Sequence, residues 1–295
     1  MREFDVLVLG GGAGGMMSAV YAKRRGKNVA IVEEMMLGGT LWQIEKIENF
    51  PSYAEVSGAE LAENFIKQIK HLRVEVINDE VVDVDFSAEK KVLVGKKERY
   101  SAKSVIIASG LSYNKLGSNE EDFLGRGVSY CAVCDANFYK NKDVAVASKK
   151  GSGIKGALEL ANICKSVTIL DSEDMSMYAK HNKNDKIKVL SLVKELKVEG
   201  KNFVEGVTFT VEGDEKSLPT SALFVELGKK PNTSLFKDLK LDENGYILTN
   251  EYMETSIKGV FAVGDIRAGK LKQLVCACSD GAIAGQKVGT DTNYA

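Results

Sequence analysis

Val6-Leu7-Val8-Leu9-Gly10-Gly11-Gly12-Ala13-Gly14-Gly15 decides the fold. With Phe4 and Asp5, its apolar half reads as a short buried parallel strand that stops at glycine. Gly10, Gly12 and Gly15 then fill the three positions of G-x-G-x-x-G. The first permits a tight turn, the second lets backbone approach a pyrophosphate, and the third packs helix against strand. A helix is expected from Met16 to Arg25, its amino end toward the phosphates. Val29 to Val32 forms the next strand, and Glu33-Glu34 closes it with an acid suited to a ribose hydroxyl. The glycine motif alone is weak; strand, turn, helix, strand and acid in that order specify a dinucleotide-binding unit of the α/β class.

The second informative stretch is Cys131-Ala132-Val133-Cys134-Asp135. Thiols separated by two residues close into a small disulfide ring and reopen reversibly, and an adjoining carboxyl group can move the proton this requires. Such a pair needs an electron source, which the dinucleotide cradle supplies. Together they read as a flavoprotein that passes two electrons through its own disulfide to that of another protein. Five cysteines form no regular framework, which argues against a secreted disulfide scaffold. Metal is disfavoured: the histidines are His71 and His181, and no second C-x-x-C completes four ligands. A net charge of −1 gives no support to nucleic-acid binding. No run approaches the roughly 18 apolar residues of a membrane span, and Met1 to Asp5 lacks a signal peptide's apolar core. The expected location is the cytoplasm.

Further along, a helix is expected from Gly58 to His71 and alternating strands around Val74 to Val94. Ser104 to Ile107 is a buried strand ending in Ala108-Ser109-Gly110, small residues that let backbone approach a ligand. Trp42 has two readings, core packing and cover for a flavin face. Asp143 to Ala147 opens a second βαβ unit, an internal repeat of the first. There Gly151-Ser152-Gly153-Ile154-Lys155-Gly156 also spells G-x-G-x-x-G, but its spacing disagrees. In the first unit, Gly10 precedes the next strand (Val29) by 19 residues and the acid (Glu33) by 23. Counting back equally from Val167 and Asp171 lands on Ser148. In that register the glycine positions hold Ser148, Lys150 and Gly153, and a lysine side chain stands where backbone must touch pyrophosphate. Asp171-Ser172-Glu173 offers no arginine for a 2′-phosphate and repels one. The expectation is a nucleotide fold kept without its nucleotide; a longer loop using the literal glycines is the alternative. Strands around Val207 to Val211 and Ala222 to Leu227 complete this insert. Gly259 to Asp265 and a helix from Lys272 to about Val288 close the chain. Cys276 and Cys278 lie about 200° apart on that helix and, with Cys164, read as packing residues.

GGGAGG at 10–15, Ile47-Glu48-Asn49-Phe50-Pro51, CAVCD at 131–135, GKKPNT at 228–233 and Gly264-Asp265 with Lys272-Gln273-Leu274 resemble the low-molecular-weight thioredoxin reductases over nearly the whole chain. The resemblance implies two Rossmann-like, three-layer ββα domains, the second inserted in the first. They span 1–112 and 244–295 for FAD, and 113–243 for the redox-active centre. It places FAD against Gly10, Gly12, Ala13, Gly14, Gly15, Glu33, Gly39, Thr40, Asn49, Val81, Ala108, Gly110, Gly264, Asp265, Lys272, Gln273 and Leu274. It further implies that Cys134 accepts electrons from flavin, that Cys131 attacks thioredoxin, that Asp135 is the general acid, and that the chain forms a homodimer. The family's GGG turn and His-Arg-Arg cluster are replaced by Ser148-Lys149-Lys150 and Asp171-Ser172-Glu173. That departure resembles the pyridine-nucleotide-independent branch, the ferredoxin-dependent flavin thioredoxin reductases of clostridia. The expected donor is therefore ferredoxin, docking on Lys140, Lys142, Lys149, Lys150, Lys155 and Lys165. An NAD(P)H-dependent thioredoxin reductase and a flavin-binding redox sensor without turnover remain open alternatives.

Overall fold

Residues 1–269 and 271–288 are described in a computed structural model of the chain. It starts with the strand predicted from its first apolar run, β1 (Arg2–Leu9), which feeds through the glycine turn into α1 (Ala13–Arg24). The helix thus begins three residues earlier than expected, because Gly14 and Gly15 are needed inside it for close packing. The chain continues through β2 (Val29–Glu33), α2 (Gly58–His71), β3 (Glu75–Asn78), β4 (Val81–Asp85), β5 (Lys91–Gly95) and β6 (Arg99–Ile107). Ser57 starts α2 by accepting the Glu60 N–H on its hydroxyl at 3.1 Å, satisfying one of the amino-terminal donors of the helix.

Successive residues of β1 are buried on opposite faces from Val6 onward: Val6 and Val8 pack into one cluster, Leu7 and Leu9 into another. A strand buried on both sides needs a layer above and below.

Two strands, β7 (Leu111–Tyr113) and β16 (Lys229–Pro231), pair where the chain leaves this unit and returns to it. Between them lie β8 (Val128–Ser129), α3 (Ala132–Asp135), β9 (Asp143–Ser148), α4 (Ile154–Ile163), β10 (Ser166–Asp171), α5 (Ser176–His181) and β11 (Ile187–Leu190). An antiparallel sheet, β12 (Lys194–Gly200), β13 (Val204–Val211) and β14 (Asp214–Pro219), precedes β15 (Leu223–Glu226). The parallel sheet runs β11-β10-β9-β15-β8. Val144, Val146 and Ile169 pack with α4 on one face; Ala145, Ala147 and Leu170 pack with the antiparallel sheet on the other. The plan of the first unit is repeated.

After β16 come β17 (Val260–Ala262) and α6 (Leu274–Lys287). The first unit's sheet runs β3-β2-β1-β6, and the far edge of β6 is shared. Its first half pairs antiparallel with β5, and Val105 to Ile107 pair parallel with β17. Helices α1, α2 and α6 contribute to the cluster on one face, and Leu93, Phe86 and Phe236 to that on the other.

The chain divides into two compact units, Tyr113–Lys229 and the remainder. The return therefore falls at 229/230 and not at 243/244 as the sequence suggested. Phe236 and Leu239 are buried in the core of the first unit beside Phe4 and Leu7. Asn232 also exchanges hydrogen bonds with Ser109 there. Among the described residues, no helix is long and apolar enough to cross a membrane.

Candidate active site

In the first unit, the turn after β1 is held by its own backbone. Gly10 has φ +105°, and a Cβ there would stand 2.5 Å from the Ala108 carbonyl oxygen. Gly12 is the N-cap of α1 with no side-chain cap, and a Cβ on it would meet nothing within 4 Å. The first intrahelical bond runs from Met16 N–H to Gly12 O. Ala13, Gly14 and Gly15 N–H therefore have no acceptor within the helix, and the positive end of its dipole lies beside an open approach. Such a helix end suits a phosphate, the pyrophosphate of FAD included.

Of the other expected contacts, Glu33, Gly39 and Ala108 touch this turn. Glu33 receives Gly11 N–H on Oε2 (2.7 Å) and Met35 N–H on Oε1 (3.0 Å), so it braces the turn as well as offering lone pairs to a ribose. Gly38 donates to Gly11 O, and the Cβ position of Gly39 lies 3.2 Å from Gly12 Cα, with exposed Thr40 next along. Asp79 N–H reaches Glu33 O two residues before β4 starts at Val81, and β4 itself pairs with β5 at the opposite edge of the sheet. Asn49 and Gln273, 224 positions apart, meet in a 2.9 Å hydrogen bond. Ala108 N–H bonds to Leu9 O, and Gly110 takes φ +62°. Trp42 packs against the core and donates its indole N–H to Leu37 O at 2.7 Å, which is the packing reading.

Gly264 and Asp265 lie on a short 3-10 turn before α6, and Leu274 is the first residue of that helix. Lys272 Nζ lies 4.3 Å from the Tyr246 ring centre and donates to the Asp265 and Arg267 carbonyls. Burial lowers its pKa. A cleft of about 250 Å³ is lined by Gly264, Asp265, Lys272 and Cys276 among others. Cys276 is therefore not a core residue, contrary to expectation, whereas Cys164 and Cys278 are buried. Burial pushes the Cys278 thiol up to about 12.

Sequence reasoning missed Arg267 and Asp280. Arg267 grips the Asp280 carboxylate through Nε (2.7 Å) and Nη2 (3.0 Å), while the same carboxylate receives Gly264 N–H at 3.1 Å. The pair fixes the turn that presents Asp265. No local signal marks an arginine and an acid 13 positions apart as partners.

In the second unit, Cys131 and Cys134 are joined in a disulfide with Cα atoms 5.4 Å apart. Cys131 caps α3, its sulfur accepting Cys134 N–H at 3.2 Å. Ser129 Oγ accepts Cys131 N–H (3.0 Å) and donates to Cys131 O (3.2 Å). Asp135 ends the helix, half-buried, with its N–H on Cys131 O at 3.3 Å. Burial, helped by the Asp135 charge, raises the Tyr139 hydroxyl. Glu226, which the sequence reading did not single out, receives Ala132 N–H on Oε1 at 3.1 Å.

The second glycine turn follows the shifted register. Ser148 pairs with Asp171 across β9 and β10, 23 residues apart, as Leu9 pairs with Val32 across β1 and β2. A Cβ on Gly153 would crowd Ser148, as one on Gly15 would crowd Gly10. The four residues before α4, 150–153, form a tight non-helical turn instead of its first turn, with Lys150 at φ +53° and Gly151 at +77°. Every N–H from 149 to 154 is satisfied internally. Lys149 donates to Ser152 Oγ, Lys150 and Gly151 to the buried Asp171 carboxylate, and Ser152 to Lys149 O. Gly153 donates to Ser148 Oγ and Ile154 to Gly151 O. Farther into the same helix end, Glu226 Oε1 lies 3.2 Å from the Cβ position of Gly156, where a carboxylate repels phosphate.

Comparisons with known proteins agree with this architecture. The family model described as pyridine nucleotide-disulphide oxidoreductase matches residues 4–281. Thioredoxin reductases of Peptoclostridium acidaminophilum and Bacillus subtilis are each 36% identical, covering 95% and 97% of this chain and 94% of their own. The crystal structure of Lactococcus lactis thioredoxin reductase matches with TM-score 0.77 at 30% identity, covering 97% of both chains. A ferredoxin-flavin thioredoxin reductase from Clostridium acetobutylicum matches with TM-score 0.55 at 28% identity, covering 97% of this chain and 96% of its own. The protein is a flavoprotein disulfide reductase with FAD as its cofactor. By its family model and its relatives, the chain belongs to the pyridine nucleotide-disulphide oxidoreductases and, among them, to the thioredoxin reductases.

Proposed function

We propose that this protein reduces the disulfide of thioredoxin in the cytoplasm, as a homodimer, and that its electrons come from reduced ferredoxin. Bound FAD supplies the conversion between single electrons and pairs. Cys134 takes the pair, the Cys131–Cys134 bond breaks, and Cys131 is released as the attacking thiol. Asp135 gives a proton to the leaving thiolate. Cys131 then attacks thioredoxin's disulfide, and Cys134 resolves the mixed disulfide so formed.

One observation carries the choice of donor: the turn at 149–154 uses all its N–H groups internally, with Lys150 inside it. A pyrophosphate gains its affinity from such groups; here those of the turn are bonded, and beside the Gly156 end of the helix stands the Glu226 carboxylate. A second reading, reduction by NAD(P)H, is favoured by the comparisons, since the family model bears the name of pyridine nucleotides and curated relatives 36% identical are described simply as thioredoxin reductases.

Anaerobic mixing of the holoenzyme with reduced ferredoxin, NADPH and NADH in parallel decides between them. Bleaching of the flavin band by ferredoxin alone, with thioredoxin reduced downstream, is expected. Bleaching by either nicotinamide on the timescale of turnover overturns the donor assignment and leaves the disulfide chemistry intact. Cys131→Ser should abolish thioredoxin reduction while retaining FAD.

A further inference from the structure

Glu226 has no part in the scheme above, yet it is built into the disulfide's support. It ends β15 opposite Ser148 of β9, and its Oε1 holds the N–H of Ala132, the residue after Cys131. Ala132 is buried, and its methyl carbon lies 3.1 Å from the Cβ position of Gly156, the same position that Glu226 Oε1 approaches. A side chain at 156 would press on both this methyl and the carboxyl group, and glycine relieves the contact. Ser152 secures the backbone by donating its hydroxyl to Glu226 O. The carboxyl group is thus fixed one residue from the cysteine expected to exchange.

We propose that Glu226 is a positioning residue for the Cys131–Cys134 pair. It pins the amino end of the C-x-x-C turn through Ala132. By its charge it also makes opening of the disulfide take up a proton at that end, instead of leaving Cys131 a bare thiolate. Opening consumes two electrons: the S–S bond breaks, the one proton taken up, given by Asp135, stays on Cys131 under the negative charge of Glu226, and Cys134 remains as the thiolate. A negative charge beside a sulfur disfavours the thiolate. When Cys131 attacks a partner disulfide, the partner sulfur leaves with that proton and a new S–S bond forms.

Burial raises the Glu226 carboxyl, opposed by the Ala132 N–H and by the positive charge of Lys229. The other charges on the elements packed here are Asp135 at the end of α3, exposed Lys155 next to Gly156 on α4, exposed Lys149 and Lys150 on the turn, and Asp171, whose oxygens hold Ser148, Lys150, Gly151 and Glu173.

This inference rests on the disulfide-reductase reading, but its test uses neither thioredoxin nor an electron donor protein. The holoenzyme is reduced with dithiothreitol. Alkylation of Cys131 by iodoacetamide is then followed against pH, with the site mapped by mass spectrometry. The disulfide's potential is measured in dithiothreitol redox buffers. Glu226→Gln keeps an oxygen for Ala132 and removes the charge. Its alkylation midpoint should fall by roughly half to one pH unit, an about three- to tenfold faster reaction in mild acid. Its potential should rise by about 15–30 mV, with FAD content and Tm unchanged. Lys229→Gln should move the midpoint the other way, and gives an independent reading should the glutamate variant fold poorly. A wild-type profile and potential in Glu226→Gln overturn the proposal, as does a shift of the same sign in both variants. Loss of thioredoxin turnover with these titrations as expected would instead count against the parent reading.

Discussion

Gly15 tolerates no side chain, because a Cβ would stand 2.0 Å from the Gly10 carbonyl oxygen, a backbone atom with nowhere to go. Gly15→Ala should push α1 off β1, costing about 1–3 kcal/mol. The purified protein should carry less FAD; full occupancy with unchanged Tm would show slack in the turn. Asp79 is constrained differently. Its carboxylate receives the Tyr100 hydroxyl (2.7 Å) and the N–H groups of Lys97 (3.1 Å) and Glu98 (3.3 Å). Burial pushes this carboxyl up, but the hydrogen bonds together outweigh it and hold the pKa below its ordinary 3.8. A depressed folded pKa adds stability that is complete above the unfolded value and lost as pH falls through the folded one. The stability advantage over Asp79→Asn, measured by urea unfolding, should therefore be greatest near neutrality and shrink below about pH 4. A difference independent of pH would mean that shape, not charge, matters there.

At the scale of the element, the turn between β9 and α4 is the least ordinary piece of the molecule. Asp171 is fully buried and accepts four hydrogen bonds, from Ser148 Oγ and from Lys150, Gly151 and Glu173 N–H. In Asp171→Asn one acceptor oxygen becomes a donor facing other donors. The variant should lose about 2–4 kcal/mol, read as earlier loss of the near-ultraviolet dichroism of the second unit in urea while flavin absorbance persists. Equal stability would mean that the turn is held by something other than this carboxylate. Counting 23 residues back from Asp171 located Ser148 correctly, because parallel strands of one βαβ unit keep their register. The literal glycines misled because Gly153 packs on Ser148 while Gly156 faces Ala132 and Glu226.

For the molecule as a whole, the repeat of one plan in two units separates what each must do. In the first, Gly10 closes on Ala108 and Asn49 bonds to Gln273; the second holds the disulfide beside a turn bonded to itself. If ferredoxin is the donor, exposed lysines of the second unit should attract that acidic partner. Lys149→Glu with Lys150→Glu should slow ferredoxin-linked thioredoxin reduction several-fold and flatten its dependence on salt. Unaltered ferredoxin kinetics at low and high salt would place docking elsewhere. Of the six lysines singled out from the sequence, Lys165 is engaged by Asp143 at 2.9 Å, so it contributes less free charge than counting suggests.

The sequence by itself determined the two βαβ units, the glycine cradle, the reactive cysteine pair and the register that separates the two turns. Each is written locally, in strand periodicity, in glycines where no other residue fits, and in spacings that a parallel pair of strands preserves. Only the tertiary structure decided the return at 229/230, the Arg267–Asp280 clamp and the place of Glu226 beneath Ala132. These depend on side chains meeting across 13 to more than 90 positions, and a lone acid at the end of an apolar strand looks the same in sequence whatever it touches.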